Sequence, residues 1–125
     1  MKPVTQPVID PRVRAAISFM RDNLHRRLSL GELARAAQLS QVHLRRVFKR
    51  ETSLTPVQYL RALRIERAKQ LLESSSLSVK QIAAEVGTGD VSHFVRNFKK
   101  ASGTAPTAHR AFRRRGDLTK QNRVR

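Results

Sequence analysis

The chain has 125 residues, enough for one domain or two very small ones, and 39% of them are hydrophobic, so any core is modest. Lysine and arginine number 26 against nine aspartates and glutamates, a formal charge of +17 that asks for a polyanion, with nucleic acid ahead of a membrane surface or an acidic protein. There is no cysteine, which excludes disulfides, thiolate metal sites and thiol nucleophiles, and no apolar run approaches the length of a membrane span.

Arginine, alanine and leucine are the commonest residues, which favours helix, and five glycines and five prolines are too few for a loop-rich β-protein. The N-terminus, MKPVTQPVIDP, lacks the apolar core of a signal peptide. Residues 1–9, with Pro3 and Pro7, read as an extended arm with little that can pack. Asp10-Pro11 then starts a helix, because Asp caps free backbone N–H groups and Pro tolerates the first helical position. Val13, Ala16, Ile17, Met20 and Leu24 give it one apolar face, and its end is expected near His25. "SLGE" at Ser29–Glu32 is a capping box ahead of a short helix with Leu30, Leu33, Ala34 and Ala37 as its stripe. Ser40 caps the next helix, on which Leu44, Val47, Phe48 and Glu51 share a face. Thr55-Pro56 repeats the cap-then-proline start. A longer helix follows, with Val57, Leu60, Leu63, Ala68, Leu71 and Leu72 available for burial, and Ser74-Ser75-Ser76 break it.

The pattern then restarts. "SVKQ" at Ser78–Gln81 is a second capping box, and Val79, Ile82, Ala83 and Val86 match Leu30, Leu33, Ala34 and Ala37. Gly87 supplies a helix stop, Asp90 caps as Ser40 did, and Phe94 and Phe98 repeat Leu44 and Phe48. The offset between copies is 49 before the turn and 50 after it, so the turn Gly87-Thr88-Gly89-Asp90 is one residue longer than the first. Pro106 opens a last helix through about Arg115, and the tail 116–125 is polar and basic, with disorder expected. The expected layout is all-α, about seven helices. An arm (1–9), a first helix-turn-helix subdomain (10–54), a linker helix (55–76), a second such subdomain (77–115) and the tail (116–125) follow one another.

Both copies carry H-x-x-R-x-F-K, at His43–Lys49 and His93–Lys99. A step of about 100° per residue turns Leu44 and Phe48 inward and puts Val42, Arg45, Arg46 and Lys49 on the opposite or flanking side. Ser92, Val95, Arg96 and Lys99 follow in the second copy. The second helix of each pair therefore suits a major groove, its phenylalanines serving the core and its basic residues the partner.

The stretch "IAAEVGTGDVSHFVRNFKKASGTAPTAHR", Ile82–Arg110, resembles the AraC/XylS-type transcriptional regulators, whose pattern is I-A-x-x-V-G-F-x-D-x-S-x-F-x-R-x-F-K-x-x-x-G-x-T-P-x-x-Y-R. "YLRALRIERAKQLLESS", Tyr59–Ser75, looks like the linker helix of that family. The resemblance covers roughly residues 10–113. It implies two helix-turn-helix units on successive major-groove segments of double-stranded DNA. With nine residues before the first helix, the layout is similar to the small stand-alone members. That implies a monomeric activator contacting RNA polymerase, with no small-molecule sensing domain, in the cytoplasm and associated with the bacterial nucleoid. Three positions depart from the pattern: Thr88 replaces an aromatic, His109 a tyrosine and Ala105 a threonine, each expected to weaken the second half.

Candidate DNA contacts are Gln41, Val42, His43, Arg45, Arg46 and Lys49 in the first copy, and Val91, Ser92, His93, Val95, Arg96 and Lys99 in the second. Arg45 suits guanine, whereas Val42, Val91 and Val95 offer only apolar contacts such as a thymine methyl. Arg61 and Arg64 on the linker helix are placed for phosphates or for solvent alike. His43 and His93 have no carboxylate or second histidine at ligand spacing, so no metal or other cofactor is expected. No paired carboxylates or nucleophile–base set suggests an enzyme. The competing reading is a nonspecific architectural or nucleoid protein, for which charge alone suffices. The polar variety of Gln41, Arg45, Arg46, Ser92 and Arg96 favours sequence readout over packaging.

Overall fold

The computed structural model describes residues 7–113. Among these there are seven helices and no strand: α1 (Pro11–Asp22), α2 (Leu30–Ala37), α3 (Gln41–Thr52), α4 (Pro56–Ser74), α5 (Val79–Glu85), α6 (Val91–Ser102) and α7 (106–113). The expectations for residues 1–6, for Arg114 and Arg115 and for the tail 116–125 lie outside the described residues. The chain divides into two units between Arg64 and Ile65, inside α4. The linker helix, expected over 55–76, is thus no separate spacer. Tyr59, Leu60 and Leu63 belong to the first core, and Ile65, Ala68, Leu71 and Leu72 to the second.

In the first unit Asp10 caps α1 by accepting the N–H of Arg12 at 2.9 Å, with Pro11 in the first turn. Val13, Ala16, Ile17 and Met20 are buried as the spacing requires. The helix stops at Asp22, short of the expected His25. Asn23 leaves helical geometry at φ −131°, and its side-chain amide donates to the Phe19 carbonyl at 2.8 Å. Leu24 therefore packs on the core from the turn and not from the helix. Nor is the segment before α1 idle: Val8 packs against the first core, and Glu51 Oε1 accepts the backbone N–H groups of Ile9 (3.1 Å) and Asp10 (2.8 Å). These bonds explain a carboxylate on the core side of α3.

The capping box of α2 forms in both directions between Ser29 and Glu32, and Thr55 with Gln58 closes the same reciprocal pair ahead of α4. Val57, expected in the core, is 52% exposed, and Tyr59 holds that role instead, its ring edge-on to Phe48 at 5.2 Å and 79°.

The second unit repeats the first almost bond for bond. Leu39 N–H donates to the Ala34 carbonyl at 2.9 Å, and Thr88 N–H to Ala83 at 2.9 Å. The residue before each is left-handed, Gln38 at φ 58° and Gly87 at φ 77°. At the far end Ser53 and Gly103 are left-handed in turn, each donating its N–H at 2.8 Å to Lys49 and Lys99 respectively. Thr52 and Ser102 return their hydroxyls to Phe48 and Phe98.

One expected weakness does not materialise. His109 sits edge-on to Phe98 at 5.6 Å and 79°, the geometry of Tyr59 on Phe48, and its Nε2 meets Glu73 Oε2 at 2.8 Å. The imidazole therefore replaces the family tyrosine as a packed ring and adds a tether to α4. Arg110 completes the fastening, donating to the carbonyls of Leu72 (3.1 Å), Ser75 (3.2 Å) and Leu77 (2.6 Å) at the end of α4. Thr88 is half-buried where Leu39 packs against the first core, so less apolar area is covered there. Ala105 offers only its carbonyl, which accepts the His109 N–H at 2.9 Å.

Candidate nucleic-acid interface

α3 is held by its two ends. Ser40 Oγ accepts the His43 N–H at 3.1 Å, and the left-handed Ser53 closes the C-terminus. Leu44, Val47 and Phe48 are buried, which fixes the rotation of the helix. Gln41, Val42, His43, Arg45, Arg46 and Lys49 are all exposed, Val42 to 62%. Gln41 lies over Gly31 of α2, where a Cβ would stand in ordinary contact, 3.4 Å from its amide nitrogen.

α6 is built likewise. Asp90 Oδ1 accepts the His93 N–H at 3.2 Å, and Phe94 and Phe98 are buried. Ser92, His93, Arg96 and Lys99 are exposed. Val91 and Val95, expected on the outward face, are half-buried and pack against the second core. The outward surface of α6 is thereby narrower than that of α3, where the corresponding residues are the exposed Gln41 and Arg45.

The charges sort by partner. Arg12 and Arg50 pair with Asp10 at 2.8 and 3.4 Å, Arg26 with Glu32 at 2.9 Å, and Arg113 with Glu73 at 3.4 Å. Among the described residues no ion pair engages Arg45, Arg46, Lys49, Arg96 or Lys99. The two outward faces keep their positive charge for something outside the chain. The paired carboxylates behave oppositely. Hydrogen bonds from Arg12 hold the Asp10 carboxyl well below the usual carboxylate range, with Arg50 adding to the attraction. Glu32 is lowered chiefly by the Ser29 N–H and next by Arg26.

On α4, Arg61 is exposed, but Arg64 turns inward. Its guanidinium donates to the Arg26 carbonyl at 2.7 Å, and burial pushes its pKa down. Arg64 is therefore engaged with its own unit and not poised beside Arg61 for phosphates. No group of three or more His, Cys, Asp or Glu suited to a metal ion occurs among the described residues. No helix among them is long and apolar enough to cross a membrane. Asn97 was not anticipated: its amide nitrogen stands 3.0 Å from His93 Nε2, and the signal for it was the i, i+4 spacing from the repeated histidine.

Residues 33–114 match the family described as "Helix-turn-helix domain". The MmsAB operon regulatory protein of Pseudomonas aeruginosa is 41% identical over 100 residues, which are 80% of this chain and 33% of that protein, so the chain spans about a third of that relative's length. An AraC-type transcriptional regulator from Chromobacterium violaceum is 32% identical, with a TM-score of 0.79 over 82% of this chain and 92% of that one. The DNA-binding domain of the transcriptional factor AdpA, solved with a target DNA, is 28% identical, with a TM-score of 0.78 over 82% and 93%. The capped repeats, the linking helix and these likenesses agree: the chain belongs to the AraC/XylS-type helix-turn-helix family of DNA-binding transcriptional regulators.

Proposed function

We propose that the chain is a sequence-specific transcriptional regulator, an activator acting as a monomer, which lays α3 and α6 in successive major-groove segments of double-stranded DNA. The observation that carries this reading is the repeated outward face: exposed arginine and lysine without ion-pair partners among the described residues, at one helical phase on the second helix of each pair. Arg45 and Arg46 supply donors for guanine, Gln41 for adenine, and Lys49, Arg61, Arg96 and Lys99 phosphate contacts that set register. Val42, Ser92 and His93 sit among them, while Val91 and Val95 approach DNA only from the rim of their core. Contact with RNA polymerase and a place in the cytoplasm beside the nucleoid follow from the family resemblance, as does activation.

Selecting bound sequences from random duplexes, in salt high enough to suppress nonspecific binding, tests the reading. The expected outcome is an asymmetric site with two half-sites about one helical turn apart. A pool with no enrichment points instead to a nonspecific architectural protein.

A further inference from the structure

We propose that Asn97 is a positioning residue that makes His93 a base-reading donor in the second helix-turn-helix unit. The inference rests on the groove-reading function above and assigns within it a specificity element that differs between the two copies.

Position 97 is anomalous within the repeat. Its counterpart Val47 is 1% exposed and belongs to the first core. In the second unit the same position carries a half-buried amide, although an aliphatic side chain there would cover more of the core. Packing does not ask for Asn; the contact it makes does. An amide NH2 group only donates, so at 3.0 Å His93 Nε2 must accept. The imidazole then carries its proton on Nδ1, and Nδ1–H is the edge left free of the amide. Which nitrogen holds the proton is set by the bond the other one makes.

The placement suits readout. His93 is the third residue of α6, exposed beside Ser92 and Arg96, and its backbone is pinned by Asp90. Residues in the first turn of a recognition helix are those that reach base edges. A single N–H donor there fits purine N7, guanine O6 or thymine O4, and is refused by the amino group of cytosine. His43 occupies the same place on α3, but four residues on it finds Val47, which offers no polar partner. The two histidines of the repeated motif therefore differ in function: His93 is oriented by an amide from its own helix, and His43 is not.

The test uses the full chain with Asn97→Val, His93→Ala and the double variant, measured by fluorescence anisotropy on a selected site and its single-base variants. Asn97→Val should weaken binding about two- to tenfold, the worth of one hydrogen bond. It should also relax preference at one position of the half-site read by α6, while leaving the α3 half-site unchanged. Its melting temperature should stay level or rise, since valine is the residue of the first copy; a purely structural role would lower stability and binding together. His93→Ala should give the same relaxed position, and the double variant should lose no more than His93→Ala alone. Nitrogen-15 spectra should show the Nδ1-protonated tautomer in the parent and its loss in Asn97→Val. Unchanged base preference in Asn97→Val, strictly additive losses or an Nε2-protonated parent each overturn the proposal. Arg46→Ala is the control: if it too leaves binding intact, the groove-reading function fails, and not merely the role of Asn97.

Discussion

Arg46 and Arg96 hold the same phase on α3 and α6, yet their neighbours differ. Arg46 stands beside Arg45 on a wide exposed face, whereas Arg96 stands beside a half-buried Val95. Arg46→Ala should therefore cost about 1–3 kcal/mol in binding and relax the bases it reads. Arg96→Ala should cost less and act evenly across sequences, as loss of a phosphate contact does. Binding of both variants to a set of single-base operator changes decides the ranking, and it is reversed if Arg96→Ala alone alters base preference. Asp10 gives a second prediction at this scale. Its carboxyl titrates lower in the folded chain than in the unfolded one, because the charged form is held by Arg12 first and by Arg50 further out. The stability it contributes is then complete above the unfolded value of about 3.9 and disappears as pH falls through the lower folded value. Asp10→Asn keeps the helix cap but removes the charge. Denaturation curves of parent and variant should differ at neutral pH, and the gap should begin to narrow as pH falls below about 4. A gap as wide at about pH 2 as at about pH 7 contradicts the link.

Among the elements, α4 is the one shared by both units, and each unit grips it differently. In the first, Arg64 points from α4 to the Arg26 carbonyl ahead of α2. In the second, Arg110 points from α7 to three carbonyls where α4 ends and the approach to α5 begins. Both arginines tie a last helix to the loop before a short helix, which keeps the helix-turn-helix pair seated on its support. Arg110→Met retains an apolar stem but leaves part-buried carbonyls without that donor, and it should cost about 1–3 kcal/mol. Amide hydrogen exchange reads this by unit: protection at Ile82, Phe94 and Phe98 should fall, while that at Leu33, Leu44 and Phe48 should hold. Equal loss in both sets means that the two units open as one.

For the whole molecule, the charge of +17 is unevenly used. Arg12, Arg26, Arg50 and Arg113 are engaged with carboxylates, and Arg64 and Arg110 with carbonyls. What remains on α3 and α6 is directed outward. If the two faces neutralise six to eight phosphates, the logarithm of the binding constant should fall against the logarithm of salt with a slope of roughly −5 to −7. Titration from low to moderate salt measures it, and a slope shallower than about −2 rules out docking of both faces on the duplex.

Six helix starts were legible in the amino-acid order because caps are local: Asp10-Pro11, Ser29 with Glu32, Ser40, Thr55-Pro56, Ser78 with Gln81 and Asp90 each act within three residues, and α7, with no capping side chain at Ala105, was legible from Pro106 alone. So were the centres of the apolar stripes and the repeat itself, which follow from helical period alone. Residues at the edge of a stripe were not. Val91 and Val95 lie about 60° and 100° around α6 from Phe94, where period is neutral and the packed neighbour decides. Val57 went outward and Tyr59 inward for the same reason. The reach of a long polar side chain was equally hidden, since Arg64 finds a carbonyl 38 residues away, Glu51 an N–H 41 residues away and His109 a carboxylate 36 residues away. Such partners are chosen by which polar groups the fold leaves nearby, and only the tertiary structure brings them within hydrogen-bonding distance.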